Sequence, residues 1–121
     1  MTLVSLLSYL ILPALAYLLG SLSPAYLVGR LNGLDLRFEG SGHLGARNAG
    51  RVLGWKWGAG VLVADFLKGQ LAVVLPWLLT ESPILSSICA IAVVAGHNWS
   101  VFLEFSGGKG LTPAAGALFM L

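Results

Sequence analysis

Long apolar stretches constrain this chain more than any other feature of its sequence. Residues 3–28, 58–79 and 84–103 are nearly free of charged side chains. Each reaches the length of about 20 residues that a membrane-spanning helix needs. Over the whole chain 57% of the residues are hydrophobic and 10% are charged, and the mean hydropathy is +0.87. Soluble domains carry about 25% charged residues. The sequence therefore predicts an all-α, polytopic integral membrane helix bundle.

The fourth apolar stretch, residues 111–121, is shorter. At about 1.5 Å per residue it covers about 16 Å of a hydrocarbon core that is about 30 Å thick. We expect residues 1–121 to form a single membrane domain with three full spans, the start of a fourth, and a missing C-terminal part. The first stretch has neither a positively charged beginning nor a small-residue cleavage site, so we expect a retained helix rather than a signal peptide.

Basic residues concentrate between the first two spans. Residues 29–57 hold five of the seven lysines and arginines, namely Arg30, Arg37, Arg47, Arg51 and Lys56. By the positive-inside rule this segment is cytoplasmic, which puts the N-terminus outside. Residues 80–83 contain no basic residue, as expected for an outer loop, and residues 104–110 return to the cytoplasmic side. Arg30 and Arg37 are expected to meet lipid head groups.

Two glycine-rich segments face the same side of the membrane in this topology. The first, residues 40–51, includes Arg47 and Arg51, and the second, residues 106–110, contains Lys109. Backbone N–H groups freed by glycine bind phosphate and other oxyanions together with guanidinium and ammonium groups. We expect Arg51 and Lys109 to clamp a substrate phosphate at the membrane surface. The supporting phosphate-binding residues would be Gly40, Gly42, Gly45, Asn48, Gly107, Gly108 and Gly110.

Ionisable side chains also occur inside the spans, where a charge is costly and usually faces the bundle interior. Asp65 and Lys68 are three residues apart, so they share one helix face and can pair. Two interpretations are open for them: an internal ion pair, or a wall of the functional site. His97 lies near the inner end of the third span. It could act as a general base, hydrogen-bond a phosphate, or cap the helix end.

Other chemistries fit the sequence poorly. The G-x-G-x-x-G pattern at residues 40–45 follows no predicted strand, so a dinucleotide fold is not indicated. Residues 107–110 lack Walker-loop spacing, since Leu103 stands where that loop needs glycine. His43 and His97 have no further His or Cys cluster beside them, so we expect no metal and no cofactor. The basic residues do not interleave with aromatic residues along one surface, so no nucleic-acid partner is expected.

Four motifs become highly specific when they occur together in this order and spacing. They are Gly20-Ser21 with Pro24, Gly40-Ser41-Gly42 continuing to Asn48 and Arg51, Asp65-Phe66-Leu67-Lys68-Gly69, and Gly96-His97-Asn98-Trp99-Ser100-Val101-Phe102 leading to Gly107-Gly108-Lys109-Gly110. On these motifs the chain resembles the N-terminal half to two-thirds of the bacterial acyl-phosphate:glycerol-3-phosphate acyltransferases, a family of integral membrane enzymes.

The resemblance implies acyl transfer from acyl phosphate to the 1-hydroxyl of glycerol 3-phosphate. The products would be lysophosphatidic acid and phosphate, in phospholipid biosynthesis at the bacterial inner membrane. The catalytic residues implied are Ser41, Arg51, His97 and Lys109. The family usually has Asn where His43 stands and Thr where Arg47 stands, and Arg47 adds bulk and charge to the first glycine-rich segment. The alternatives are an anion-binding transporter or channel subunit, and an inactive remnant of the acyltransferase.

Overall fold

Helices make up all the regular secondary structure that the computed structural model shows for residues 2–121, the residues it describes. The six α-helices are α1 (Leu3–Ser21), α2 (Pro24–Leu31), α3 (Ala46–Leu53), α4 (Trp55–Thr80), α5 (Pro83–Asn98) and α6 (Leu111–Met120). Short 3₁₀ helices cover Leu36–Phe38 and Val101–Leu103. Three segments are long and apolar enough to cross a membrane: Leu3–Leu31, Trp55–Thr80 and Pro83–Leu103. The predicted all-α membrane bundle is confirmed.

The first apolar stretch, expected as one helix over residues 3–28, is two helices with a break between them. The Ser23 hydroxyl accepts a hydrogen bond from the Tyr26 N–H at 3.1 Å, and Pro24 lies in the first turn of α2. Proline disfavours the helical conformation in the residue before it, and serine is a favoured cap at a helix N-terminus. The chain therefore ends one helix and begins another here. Pro13, by contrast, lies inside the continuous helix α1.

Other boundaries also differ from the expected ones. The first glycine-rich segment is irregular only to residue 45, because α3 begins at Ala46 and carries Asn48 and Arg51. Gly54, at a φ of 115°, separates α3 from α4, so α4 begins at Trp55 and not at residue 58. A φ in this range suits glycine because it has no Cβ. α5 ends at Asn98 rather than at residue 103, and a 3₁₀ helix follows it.

Glycines allow the long helices to pack closely. At the crossing of α1 and α5, a Cβ on Gly20 would overlap the carbonyl of Val93, and a Cβ on Gly96 would overlap the carbonyl of Tyr17. The contact between α4 and α6 has the same character, with Gly69 against Pro113 and Gly116 against Phe66. Small residues at helix contacts are typical of membrane bundles, where close backbone approach supplies much of the packing. Gly20 therefore lies at a close helix contact.

The buried apolar residues form two main groups. One group lies among the long helices and consists of Ala16, Ala72, Leu85, Cys89 and Val93. The other lies beneath the polar segments and consists of Ala25, Leu36, Leu44, Ala49, Val61 and Leu103. Many large apolar side chains of α1 point outward, including Leu3, Leu10 and Leu15. An apolar outer surface of this kind suits a lipid environment. The second group of buried residues supports the polar segments at one end of the membrane bundle.

Candidate functional site

The two glycine-rich segments meet in space. The Leu44 N–H donates a hydrogen bond to the Gly107 carbonyl at 3.3 Å. The Gly108 N–H donates to the His97 carbonyl at 3.1 Å. These contacts join the loop before α3 to the loop after α5. The two glycine-rich segments and the end of α5 are therefore neighbours in the fold.

Asn48 organises the first glycine-rich segment. Its side chain is buried, and its Oδ1 accepts a hydrogen bond from the Ser41 N–H at 3.1 Å. Its Nδ2 donates to the carbonyls of Glu39 at 3.1 Å and His43 at 3.0 Å, with a longer contact to Leu36 at 3.4 Å. One amide thus pairs with backbone groups on both sides of the turn. Asn48 has a positioning role in the loop, and direct contact between Asn48 and a phosphate stays a prediction.

Glycine is required within this turn by the backbone itself. Gly40 and Gly42 have φ values of 55° and 78°. These values lie in the left-handed region, which side chains with a Cβ rarely adopt. Gly45, at a φ of −145°, is extended, and a Cβ added to it would meet no other atom within 4 Å. The turn therefore depends on the first two glycines for its shape, and not on the third.

The second glycine-rich segment is fixed largely by backbone contacts. The Ser100 N–H donates to the Ser106 carbonyl at 3.1 Å, and the Phe105 N–H donates to the Ser100 carbonyl at 2.7 Å. The buried Ser100 hydroxyl donates to the Ser21 carbonyl at 2.6 Å, which ties this loop to the end of α1. The Ser106 hydroxyl donates to the Leu103 carbonyl. The loop between α5 and α6 is thus closed on itself and anchored to the bundle.

Close approach explains the glycines of this second segment. A Cβ on Gly107 would overlap the carbonyls of His97 and Asn98. A Cβ on Gly108 would overlap the His97 Nε2 and approach the Leu44 carbonyl oxygen within 2.8 Å. Gly110 has a φ of 78° and faces the Asn98 side chain. Gly108 is therefore the point where the second segment contacts both the His97 ring and the first segment.

A buried charged cluster lies next to this junction. The Lys68 Nζ is 3.3 Å from the Asp65 Oδ1, and both residues are buried on α4. The same Nζ is 2.8 Å from the His97 Nδ1 on α5, while the Asp65 Oδ1 is 3.7 Å from that nitrogen. The internal ion pair, one of the two interpretations open for Asp65 and Lys68, is present. The pair also borders the site through His97, whose ring contacts Lys68 rather than a carbonyl at the helix end.

The remaining predicted residues lie on the surface of this end of the molecule. Ser41, Arg51 and Lys109 are exposed, as are His43 and Arg47. Within residues 2–121 neither Arg51 nor Lys109 forms an ion pair with a carboxylate. Their charged groups are free to meet an anion. Their roles in binding and catalysis stay predictions.

Arg37 differs from its expected role at the lipid head groups. Its guanidinium forms an ion pair with Asp35 at 2.7 Å, with a second hydrogen bond from Nε at 3.1 Å, and lies 5.3 Å from the centre of the Tyr26 ring. Arg37 lowers the pKa of the Asp35 carboxyl below its usual range through these hydrogen bonds, and Asp35 raises the pKa of Arg37 in return. The Asp-x-Arg spacing was the available sequence signal for this pair.

A profile of the glycerol-3-phosphate acyltransferase family matches residues 10–121. Glycerol-3-phosphate acyltransferase 2 of Moorella thermoacetica is 47% identical over 114 residues, which are 93% of this chain and 58% of that protein. Glycerol-3-phosphate acyltransferase of Bacillus velezensis is 48% identical over 105 residues, 86% of this chain and 54% of that protein. This chain thus spans somewhat more than half the length of these curated relatives.

Solved structures agree with the sequence matches. The chain superimposes on the crystal structure of PlsY (YgiH), an integral membrane glycerol 3-phosphate acyltransferase, in its glycerol 3-phosphate form, with a TM-score of 0.87 and 39% identity. The lysophosphatidic acid form gives a TM-score of 0.85 at 38% identity. The match covers 93% of this chain in both cases, and 57% and 56% of the respective PlsY chains.

Proposed function

The chain belongs to the glycerol-3-phosphate acyltransferase family, and from this membership we propose that it supplies the phosphate-handling part of an acyltransferase. The enzyme would transfer an acyl group from acyl phosphate to the 1-hydroxyl of glycerol 3-phosphate. The products are lysophosphatidic acid and inorganic phosphate. Because the chain spans 58% of the Moorella thermoacetica relative, the activity is proposed for the full natural polypeptide that contains residues 1–121.

The observation that carries this proposal is the meeting of the two glycine-rich segments at His97. The Leu44 N–H bond to Gly107 and the Gly108 N–H bond to His97 put the two segments side by side. The segments contribute an exposed guanidinium from Arg51 and an exposed ammonium from Lys109. A reaction with two phosphate-bearing substrates needs such groups at one place, and the apolar spans allow the acyl chain to stay in the membrane.

The reaction requires mainly that the enzyme position the two substrates and neutralise the charge on their phosphate groups. In acyl phosphate the acyl group is joined to phosphate as a mixed anhydride, so the leaving group is already good. The glycerol 3-phosphate hydroxyl oxygen attacks the acyl carbonyl carbon, a C–O ester bond forms, and the carbonyl carbon–phosphate oxygen bond breaks. The electron pair of that bond leaves on phosphate. Fixed donors that hold both phosphates lower the barrier through orientation and electrostatic stabilisation.

Named residues fit these tasks. Arg51 provides a planar fork for bidentate phosphate contact, and Lys109 provides a compact point charge. Backbone N–H groups of the two glycine-rich segments and the Ser41 hydroxyl provide neutral donors. The proton of the attacking hydroxyl passes either to His97 or to a phosphate oxygen of the substrate. No cofactor takes part in this scheme.

The proposed orientation puts both glycine-rich segments on the cytoplasmic side of the membrane. Its support is the concentration of five of the seven basic residues in residues 29–57. Single-cysteine variants Arg47→Cys and Glu81→Cys test it, since both positions are exposed and the native Cys89 is buried. An impermeant thiol reagent added outside should label position 81 and leave position 47 unmodified. The reverse pattern would overturn the orientation.

The activity is tested with the purified full-length protein in liposomes. Acyl phosphate and radiolabelled glycerol 3-phosphate should give lysophosphatidic acid and an equal amount of inorganic phosphate. Acyl-CoA and acyl carrier protein should not replace acyl phosphate. Phosphate flux across the liposome membrane without product would indicate a transporter, and the absence of both flux and product would indicate an inactive remnant.

A further inference from the structure

Lys68 makes an unusual set of contacts for a lysine within a membrane span. Its Nζ lies 3.0 Å from the Gly20 carbonyl oxygen, 3.0 Å from the Leu22 carbonyl oxygen and 2.8 Å from the His97 Nδ1. The two carbonyls belong to the C-terminal end of α1 and the residue after it. The last carbonyls of a helix lack partners within the helix and carry partial negative charge. Lys68 therefore connects α1, α4 and α5 at one atom.

These contacts bear on which nitrogen of His97 carries the proton. An ammonium group has three N–H donors and no acceptor. Four polar atoms lie within 3.3 Å of the Lys68 Nζ: three hydrogen-bond partners, which are two carbonyl oxygens and the His97 Nδ1, and the ion-pair partner Asp65 Oδ1. The negative charge of the Asp65 carboxylate, 3.3 Å from Nζ, is complementary to an ammonium at this position. With Lys68 charged, Nδ1 is the acceptor, so the proton of the neutral ring lies on Nε2.

The Nε2 atom lies on the side of the ring that faces the site. It is the atom that a Cβ on Gly108 would overlap, and Gly108 is also next to the Leu44 carbonyl. Among the hydrogen bonds of residues 2–121, none involves Nε2. A donor at this point therefore faces the junction of the two glycine-rich segments, where the proposed function puts a phosphate-bearing substrate.

We propose that Lys68 is a positioning residue that fixes His97 as an Nε2–H donor toward a substrate oxygen at this junction. The inference rests on the proposed function, and it chooses one of the three roles that the sequence left open for His97. A ring nitrogen that already carries a proton cannot accept the proton of the attacking hydroxyl. His97 is then a hydrogen-bond donor to the substrate and not the general base. Lys68 acts on the reaction only through His97.

Nitrogen NMR of the full-length protein with ¹⁵N-labelled histidine tests the tautomer directly. The His43→Asn variant leaves a single histidine among residues 1–121 and assists the assignment. We expect one protonated nitrogen at Nε2 and one unprotonated nitrogen at Nδ1, without averaging between tautomers. Lys68→Met should shift both resonances toward a tautomer mixture. Lys56→Met removes an exposed lysine from the same helix and should leave them unchanged. A proton on Nδ1 in the native protein, donated to a neutral Lys68, would overturn the inference.

Kinetics of His97 variants test the donor role. Glutamine can carry an N–H donor near the position of Nε2 but cannot serve as a base. His97→Gln should therefore keep activity within about tenfold of the native enzyme, since one hydrogen bond is retained in altered geometry. His97→Ala should lose about 100-fold or more in kcat, as for removal of a donor to developing charge. Equal losses in the two variants would overturn the donor role.

Lys68 itself is tested by its pattern of kinetic effects. Lys68→Met should lower kcat more than it raises KM for glycerol 3-phosphate, while Lys56→Met changes neither. Lys68→Met should also lose most of its effect when His97 is already alanine, because Lys68 acts through that ring. An additive loss in the double variant would contradict the positioning role. An inactive native protein would contradict the proposed function, whereas an active protein with Nδ1–H would contradict only this inference.

Discussion

The first glycine-rich segment is held by one buried amide side chain, whereas the second is held by backbone contacts, by the hydroxyls of Ser100 and Ser106, and by close approach at its glycines. In the first, Asn48 pairs with backbone groups on both sides of the turn, and Gly40 and Gly42 supply left-handed backbone. In the second, Gly107 and Gly108 bring the chain against His97 and Asn98. The two segments should therefore fail through different substitutions. At Asn48 the first depends on a polar side chain, and at Gly107 and Gly108 the second has no space for a methyl group.

Asn48→Ala should give the largest loss of stability. It leaves the Ser41 N–H and the carbonyls of Glu39 and His43 without their partner. Several hydrogen bonds of about 1 kcal/mol each are lost, so we expect a decrease of about 2–4 kcal/mol in the free energy of unfolding. Reversible unfolding in detergent micelles measures it. Asn32→Ala is the matched control because that exposed side chain makes one hydrogen bond, to Val28, and should cost less than about 1 kcal/mol. Equal losses would mean that the first segment does not depend on Asn48.

Gly108→Ala should disrupt the second segment by steric overlap. The new methyl group meets the His97 ring and the Leu44 carbonyl, and the carbonyl belongs to backbone that cannot rotate away. Overpacking of this kind typically costs about 1–3 kcal/mol. Gly45→Ala is the control in the first segment, because no other atom lies within 4 Å of its Cβ position and its φ is extended. Because Gly45 is the N-cap residue of α3 and alanine is a poorer N-cap than glycine, the variant should lose at most about 1 kcal/mol, without steric overlap. A Gly45 variant as unstable as the Gly108 variant would remove the distinction between the segments.

The sequence predicts the parts of this site that follow from local periodicity. Hydropathy located the spans. The distribution of basic residues and the number of spans predicted that both glycine-rich segments lie on one side of the membrane. The three-residue spacing indicated that Asp65 and Lys68 can pair. The contact of Lys68 with His97 joins residues 29 positions apart, and it depends on how α4 and α5 pack. The inward direction of Asn48 depends equally on the fold, because the start of α3 within the polar segment was not evident. The order of motifs identified the family, and only the packing showed which side chains hold the site together.

Arg51→Lys tests whether the first segment needs a guanidinium, in contrast to the ammonium that Lys109 provides in the second segment. Lysine keeps the charge of Arg51 but loses the planar fork, so we expect at least about a tenfold loss of kcat/KM, equal to about 1.4 kcal/mol. A rise in KM for glycerol 3-phosphate would mean that Arg51 holds the acceptor phosphate in the ground state. A fall in kcat with little change in KM would mean that it acts mainly in the transition state. Arg30→Lys, at an exposed position of α2, should be nearly silent. Equal, mild effects at both positions would contradict the phosphate clamp.

Asp35→Asn should have the smallest effect, and one that depends on pH. Asp35 lies before the first glycine-rich segment and pairs with Arg37. The Arg37 carbonyl oxygen lies 3.0 Å from the position that a Cβ added to Gly42 would occupy. The hydrogen bonds from Arg37 lower the pKa of the Asp35 carboxyl in the folded protein. The stabilisation is therefore fully present above the unfolded pKa of about 3.9 and is lost as the pH falls through the lower folded value. Because the pair is partly exposed to solvent, its contribution should be at most about 1 kcal/mol.

The asparagine variant keeps an oxygen that can accept the Arg37 N–H hydrogen bond, so it removes the charge with little change to the local turn. Thermal unfolding of the native protein and of the variant, measured in micelles from about pH 7 down to about pH 3, should show a Tm difference that is constant above about pH 5. The difference should shrink at lower pH as the native carboxylate becomes protonated. High salt should reduce it at every pH because the charges are accessible to ions. A Tm difference that grows on acidification would show that the ion pair with Arg37 is not the source of the stabilisation.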